Sequence, residues 1–148
     1  MLSNACAYGL RAMTYLASQP QDHYISVDTV AQQVHLPSAF LRKVMQKLGC
    51  AGFITSMRGA GGGVRLAEDS KRITVYDIIL AIDGDKRFTR CMLHLDGCNP
   101  ERPCPFHEEW AEQRTLIQKR LQSFSLHEVT AIMKNDFFRL PMNGERLK

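Results

Sequence analysis

Two short amphipathic segments separated by a few residues, followed at once by a glycine-rich pair of alternating segments, restrict this 148-residue chain more than any other feature. Val27, Val30, Ala31 and Val34 fall at i, i+3, i+4 and i+7 behind Ser26, a good N-cap, which predicts a helix. Pro37 predicts its end, because the residue before a proline is driven out of the α region. Ser38 then caps the next helix, with Leu41, Val44, Met45 and Leu48 as its apolar stripe and Gly49 as its stop. Two such helices joined by a tight turn form a helix-turn-helix. Residues 53–58 and 63–67 read as strands around Gly59, Ala60, Gly61 and Gly62, hence a β-hairpin. A hairpin placed directly after a helix-turn-helix is a wing.

The rest of the chain is mainly helical. Ser3 caps a first helix reaching about residue 18, with Leu10, Met13, Leu16 and Ala17 on one face. Thr74 and Asp77 form a capping box for a helix with the core face Val75, Ile78, Ile79 and Ile82, ended by Gly84. Residues 85–105 show no periodicity and contain Gly97, Pro100, Pro103 and Pro105. A structureless stretch of that length inside a small domain points to a functional loop. A long helix follows from His107 to about residue 123, with Trp110, Ile117, Leu121 and Phe124 on a narrow apolar stripe. Such a stripe cannot bury itself, and packing on a second copy is its natural outlet. Ser125 and Glu128 cap a last short helix, residues 126–133, and residues 143–148 read as a frayed end.

Charge divides the chain. Residues 1–66 hold six cations (Arg11, Arg42, Lys43, Lys47, Arg58, Arg65) against Asp22 and Asp28, whereas the remainder is balanced, so the whole net charge of +4 lies in the first part. That is where an anionic polymer would dock. On the third helix Ser38 and Ala39 at the start and Arg42, Lys43, Gln46 and Lys47 on the outer face have the composition of a major-groove reader. Arg and Gln pair with base edges, while Lys43 and Lys47 suit phosphates, which set register. Arg58 at the wing tip, beside Gly59 and Ala60, suits a narrow minor groove. The expected partner is double-stranded DNA. The hairpin lacks the Gly-Lys-Ser/Thr ending of a nucleotide loop. The chain shows no nucleophile–base pair or carboxylate dyad, so neither an enzyme nor a small-molecule substrate is expected. No apolar run approaches the roughly 20 residues of a membrane helix, and the N-terminus lacks a signal-peptide pattern. The expected compartment is the cytoplasm, with no membrane partner.

Three of the five cysteines, Cys91, Cys98 and Cys104, crowd into the Pro/Gly-rich loop, and His107 lies one turn beyond Cys104. An odd cysteine count without an export signal argues against a disulfide framework. Soft thiolates beside an imidazole suit an Fe–S cluster or zinc. The spacings C-x₆-C-x₅-C-x₂-H are wider than the C-x₂-C of a zinc finger, which favours the larger object. A zinc staple or a metal-free thiol switch in the same loop is the alternative. An Fe–S electron carrier would explain the cysteines but not the basic helix and wing. Cys6 and Cys50, on or beside amphipathic helices, read as small buried hydrophobes, and His94 as a solvated side chain.

These features resemble the IscR/NsrR-type regulators, the bacterial winged-helix family called Rrf-two. The opening Ala7, Tyr8, Gly9, Leu10, Arg11 and Ala12 is similar to that family's first helix. The wing Arg58, Gly59, Ala60, Gly61, Gly62, Gly63 is similar to its RGPGGG, with Ala60 in place of proline. Residues 73–84 resemble the helix after the wing, and Cys91, Cys98 and Cys104 the family's ligand set. His107 occupies the place of the histidine ligand of IscR-like members. The first cysteine gap is six residues where five is common, and Ala7 stands where some members carry a carboxylate ligand. The resemblance implies a homodimer on a partly palindromic operator and a cluster in each subunit, [2Fe–2S] favoured over [4Fe–4S], in a regulator, most simply a repressor, that senses iron, redox or nitric oxide. The expected architecture is mainly α with a small β-hairpin wing. It comprises a winged helix-turn-helix over residues 1–84, an Fe–S loop over 85–106, and a dimerisation helix with a C-terminal helix and tail over 107–148.

Overall fold

The computed structural model describes residues 2–134. The order is α1 (Asn4–Ala17), α2 (Val27–Gln33), α3 (Ser38–Cys50), β1 (Ile54–Met57), β2 (Gly63–Leu66), α4 (Val75–Asp83), α5 (Lys86–Thr89), α6 (His107–Gln122) and α7 (Leu126–Lys134). The frayed end expected at residues 143–148 lies outside the described residues.

The core forms around α1, which packs on α2, α3, α4 and α7. Met13, Leu16, Leu41, Leu48, Ile78, Ile79 and Leu126 are fully buried there. Gly9 permits the closest approach, since a Cβ on it would lie 2.2 Å from the Cδ1 of Ile82 and 3.1 Å from the Cγ1 of Val44. Helix starts follow local chemistry. Ser3 accepts from the Cys6 N–H and is itself hydrogen-bonded to Asp83, which fastens the start of α1 to the end of α4. Thr74 with Asp77, and Ser125 with Glu128, form their reciprocal caps. The link Leu126 N–H to Ile73 carbonyl, 2.7 Å, brings α7 back beside the start of α4.

The wing is an antiparallel hairpin pairing Ile54 with Leu66 and Met57 with Gly63. A bridge between Ile25 and Val64 ties it to the segment before α2. Ile54, Val64 and Leu66 point into the core, and the tip stands clear.

Four sequence expectations need correction. The second helix ends at Gln33, before Pro37, because His35 adopts a left-handed φ of 53° and the Leu36 N–H returns to the Ala31 carbonyl at 2.9 Å. Ser38 is the first residue of α3, with Pro37 as its cap residue. Gly49 lies within α3, and the helix runs on to Cys50; Gly52, at φ 83°, supplies the left-handed turn that stops it. The stretch 85–105 is not wholly irregular, since α5 occupies its start.

Candidate metal centre and nucleic-acid interface

The loop after α5 is built from tight turns. The His94 N–H returns to the Cys91 carbonyl at 3.1 Å, and the His107 N–H to that of Cys104 at 3.0 Å. Asn99 Oδ1 accepts from the Glu101 and Arg102 N–H groups, both at 2.9 Å. Gly97 and, unusually for a side-chain-bearing residue, His94 have positive φ. These turns bring the Sγ atoms of Cys91, Cys98 and Cys104 within 4.8 Å of one another. The four donors form two pairs: Cys91 Sγ lies 3.6 Å from Cys104 Sγ, and Cys98 Sγ lies 3.3 Å from His107 Nδ1. Two sulfur ligands on one tetrahedral metal with bonds near 2.3 Å stand about 3.8 Å apart. Each pair therefore has close to the separation that a shared metal demands. The donor set suits an Fe–S cluster or zinc.

The thiols are not equivalent. The Leu95 backbone N–H brings the Cys91 thiol down to about 7, helped by the Leu93 N–H and the adjacent thiols against partial desolvation. Desolvation, with the neighbouring Cys91 and Cys98 thiols, pushes Cys104 above the ordinary range. A small cavity of about 30 Å³ joins the three cysteines and His107 to Thr89, Trp110 and Arg114.

The helix-turn-helix and wing carry the basic face. Ala39, Arg42, Lys43, Gln46 and Lys47 are exposed on α3, with Ser38 half-buried at its start. Arg58, Gly59 and Ala60 are exposed at the wing tip. Two of the cations are already engaged. The Arg42 guanidinium donates to both carboxylate oxygens of Asp28 at 2.7 Å, linking the two helices of the helix-turn-helix. Arg42 foremost, then the Ser38 hydroxyl, holds the Asp28 carboxyl below its usual range. Lys47 Nζ donates to the Ile82 carbonyl at 2.7 Å, so its ammonium reaches back to the end of α4. In the wing, the Arg65 guanidinium lies 4.8 Å from the Tyr24 ring centroid.

The family model of Rrf2, described as an iron-dependent transcriptional regulator, matches residues 2–132. The chain belongs to the Rrf2 family. This Rrf2 chain is 28% identical over 128 residues to the HTH-type transcriptional regulator IscR of Photorhabdus laumondii, covering 86% of this chain and 77% of that one. Its fold is similar to CymR, the global cysteine regulator of Bacillus subtilis, with a TM-score of 0.75, 27% identity, and coverage of 89% and 97%. It is also similar to the oxidized form of Staphylococcus aureus CymR, with a TM-score of 0.68, 26% identity, and coverage of 88% and 95%. These relatives are transcriptional regulators, not enzymes. The Rrf2 chain is accordingly a winged-helix transcriptional regulator, and among its described residues no helix is long and apolar enough to cross a membrane.

Within this Rrf2 frame the structure brings together all four residues singled out as metal donors. His94 is exposed and outside the thiol group, and Cys6 is buried in α1. Cys50 is exposed, contrary to the buried hydrophobe expected, because α3 turns its last residue away from the core stripe. The stripe of α6 also differs from expectation. Leu121 and Phe124 pack on this chain's own core, while Leu116 and Ile117 are 63% and 47% exposed. The roles of three residues were not read from the sequence: Asp28 counted only as a charge, Trp110 only as part of an apolar stripe, and Arg114 not at all. Trp110 and Arg114 are four apart on α6, and that spacing was the one available signal that they act together.

Proposed function

We propose that this Rrf2 regulator is a cytoplasmic sensor-repressor that holds an Fe–S cluster through Cys91, Cys98, Cys104 and His107. The observation that carries this reading is the convergence of three thiols and an imidazole on one loop at the start of α6. The donors fall into two pairs, and each iron of a [2Fe–2S] centre takes two protein ligands, which supports that nuclearity over [4Fe–4S]. The cluster, when bound, supplies chemistry that oxygen, iron supply or nitric oxide can alter.

The chain's own residues carry the response. DNA is met by Ser38, Ala39, Arg42, Lys43, Gln46 and Lys47 on α3 and by Arg58, Gly59 and Ala60 on the wing, within a reader spanning residues 1–84. Residues 85–106 form the cluster loop, and α6 with the segment up to residue 148 supplies dimerisation. α6 has no buried residue and exposes Leu116 and Ile117, which a second copy would cover. A homodimer places two reading heads on a partly palindromic operator, and a small shift of α6 changes their spacing at the cost of several contacts at once. Protein purified without air should be coloured and contain two irons and two sulfides per chain. Colourless protein with bound zinc would contradict the reading.

A second reading has its own support. Cys91 Sγ lies 3.6 Å from Cys104 Sγ, and Cys91 is the acidic member. A peroxide could oxidise the Cys91 thiolate to a sulfenic acid, whose hydroxyl Cys104 would displace as water to leave a disulfide. Mass spectrometry of peroxide-treated, metal-free protein separates this thiol switch from the cluster reading.

A further inference from the structure

The backbone just before Cys91 is gripped by side chains of α6. Arg114 Nη1 donates to the Thr89 carbonyl at 2.7 Å and to the Arg90 carbonyl at 2.6 Å. Trp110 Nε1 donates to the same Arg90 carbonyl at 3.1 Å. Those carbonyls lie at the end of α5, where the helix leaves acceptors unsatisfied. Arg114 and Trp110 also line the small cavity that holds the thiols and His107. The Nε–H of Arg114 is shut off from solvent and has no hydrogen-bond partner among the described residues. On its other side the same pair lines a groove of about 890 Å³ with Ile117 and Leu121 of α6 and Phe88 of α5.

We propose that Arg114 and Trp110 are positioning residues that lock the first ligand cysteine to the long helix, so that metal binding in the loop and the placement of α6 change together. This inference deepens the cluster reading and rests on it. The Arg90 carbonyl, held by one guanidinium bond and an indole with its neighbour Thr89 held by the same guanidinium, has little freedom, and Cys91 is the next residue along. Pulling Cys91 toward a shared centre with Cys98, Cys104 and His107 therefore pulls on α6. The guanidinium has a second role. Three thiolates bring negative charge into a half-enclosed cavity, and the Arg114 guanidinium stands in its wall to offset it. Lysine would keep the charge but not the planar guanidinium that aims one nitrogen at two adjacent carbonyls.

The test compares wild-type chain, Arg114→Gln, Arg114→Lys and Trp110→Phe, each reconstituted with iron and sulfide without air. Iron release to a chelator should be about tenfold or more faster in Arg114→Gln, the usual effect of losing an outer partner of a metal ligand. It should be intermediate in Arg114→Lys and Trp110→Phe. The decisive readout is the ratio of operator affinities with and without metal. It should fall toward one in Arg114→Gln while metal-free affinity and metal-free melting temperature stay at wild-type values, a pattern that a merely structural role does not produce. Should Arg114→Gln fail to fold, Trp110→Phe, which removes one N–H and keeps most of the ring, carries the same test. Unchanged release and an unchanged ratio in these variants overturn the inference and leave the cluster reading intact. A wild-type chain that takes up no iron overturns both.

Discussion

The reading head and the cysteine loop are held together by different physics. From α1 to α4 the chain buries a continuous apolar core, with Leu41, Leu48, Ile78 and Ile79 wholly withdrawn from water. Between Ile82 and Leu126 no described hydrophobic residue is fully buried; Phe88, Leu121 and Phe124 only pack against the core while half-buried. The loop relies on tight turns, the side-chain grip of Arg114 and Trp110, and four soft donors in contact. Burial of Leu or Ile side chains stabilises by roughly 1.5–3 kcal/mol each, whereas an individual hydrogen bond nets about 1 kcal/mol. The reader is therefore held by its own apolar core, and the loop has room for an external ligand to set its order. A sensor needs that division: a rigid reader and a part whose structure depends on what it binds.

Substitutions can break or sharpen the contrast. The largest effect is expected in the core. Ile78→Ala should lower stability by about 2–5 kcal/mol in denaturant unfolding, by the same amount with and without metal. Replacing Cys91, Cys98 and Cys104 together by Ser should abolish metal uptake yet move the metal-free unfolding midpoint little, because these side chains are half-exposed. A large loss of metal-free stability in the triple variant would erase the distinction between the two regions.

The thiols give a pH test. Cys91, near 7, is about half thiolate at neutral pH, whereas an ordinary thiol is almost wholly protonated. After allowing for the weaker nucleophilicity of an acidic thiol, Cys91 should alkylate about fivefold faster than Cys50 at pH 7, with Cys104 slower still. The sign for stability follows. A depressed thiol favours the folded loop at pH above its unfolded value and loses that contribution as pH falls through about 7. Peptide mapping after timed alkylation checks the order.

The smallest effect concerns Arg42. Asp28→Asn removes the carboxylate that holds it. Removing this acid from the DNA-facing side should strengthen non-specific DNA binding and steepen the salt dependence by up to about one charge, near 0.9 in log–log terms. An unchanged slope would mean that Asp28 and Arg42 stay clear of the DNA.

The elements defined by period were legible in the sequence. α1, α2 and α4 each show apolar spacing behind a capping residue, α3 shows the spacing without a side-chain cap, and the hairpin shows alternation around glycines. The candidate metal donors were legible because chemistry and proximity in sequence coincide at Cys91, Cys98, Cys104 and His107. Boundaries were harder. Gly49 and Gly52 are equally plausible stops by residue type, and only the backbone shows that Gly52 has the left-handed φ. α5, four residues long, is too short to display a period. Cross-chain pairings were hidden for a different reason. Arg42 meets Asp28 only because of the angle between α2 and α3, and Arg114 meets main-chain carbonyls, which no residue pattern announces.

The most direct test of the central claim is operator affinity measured on one preparation before and after removal of its metal. DNA selected from random sequence by the iron- and sulfide-loaded protein would serve as the operator. The account predicts two irons per chain and an affinity change of tenfold or more on stripping, restored by reloading. Equal affinity in both states, in protein that demonstrably held iron, would contradict it.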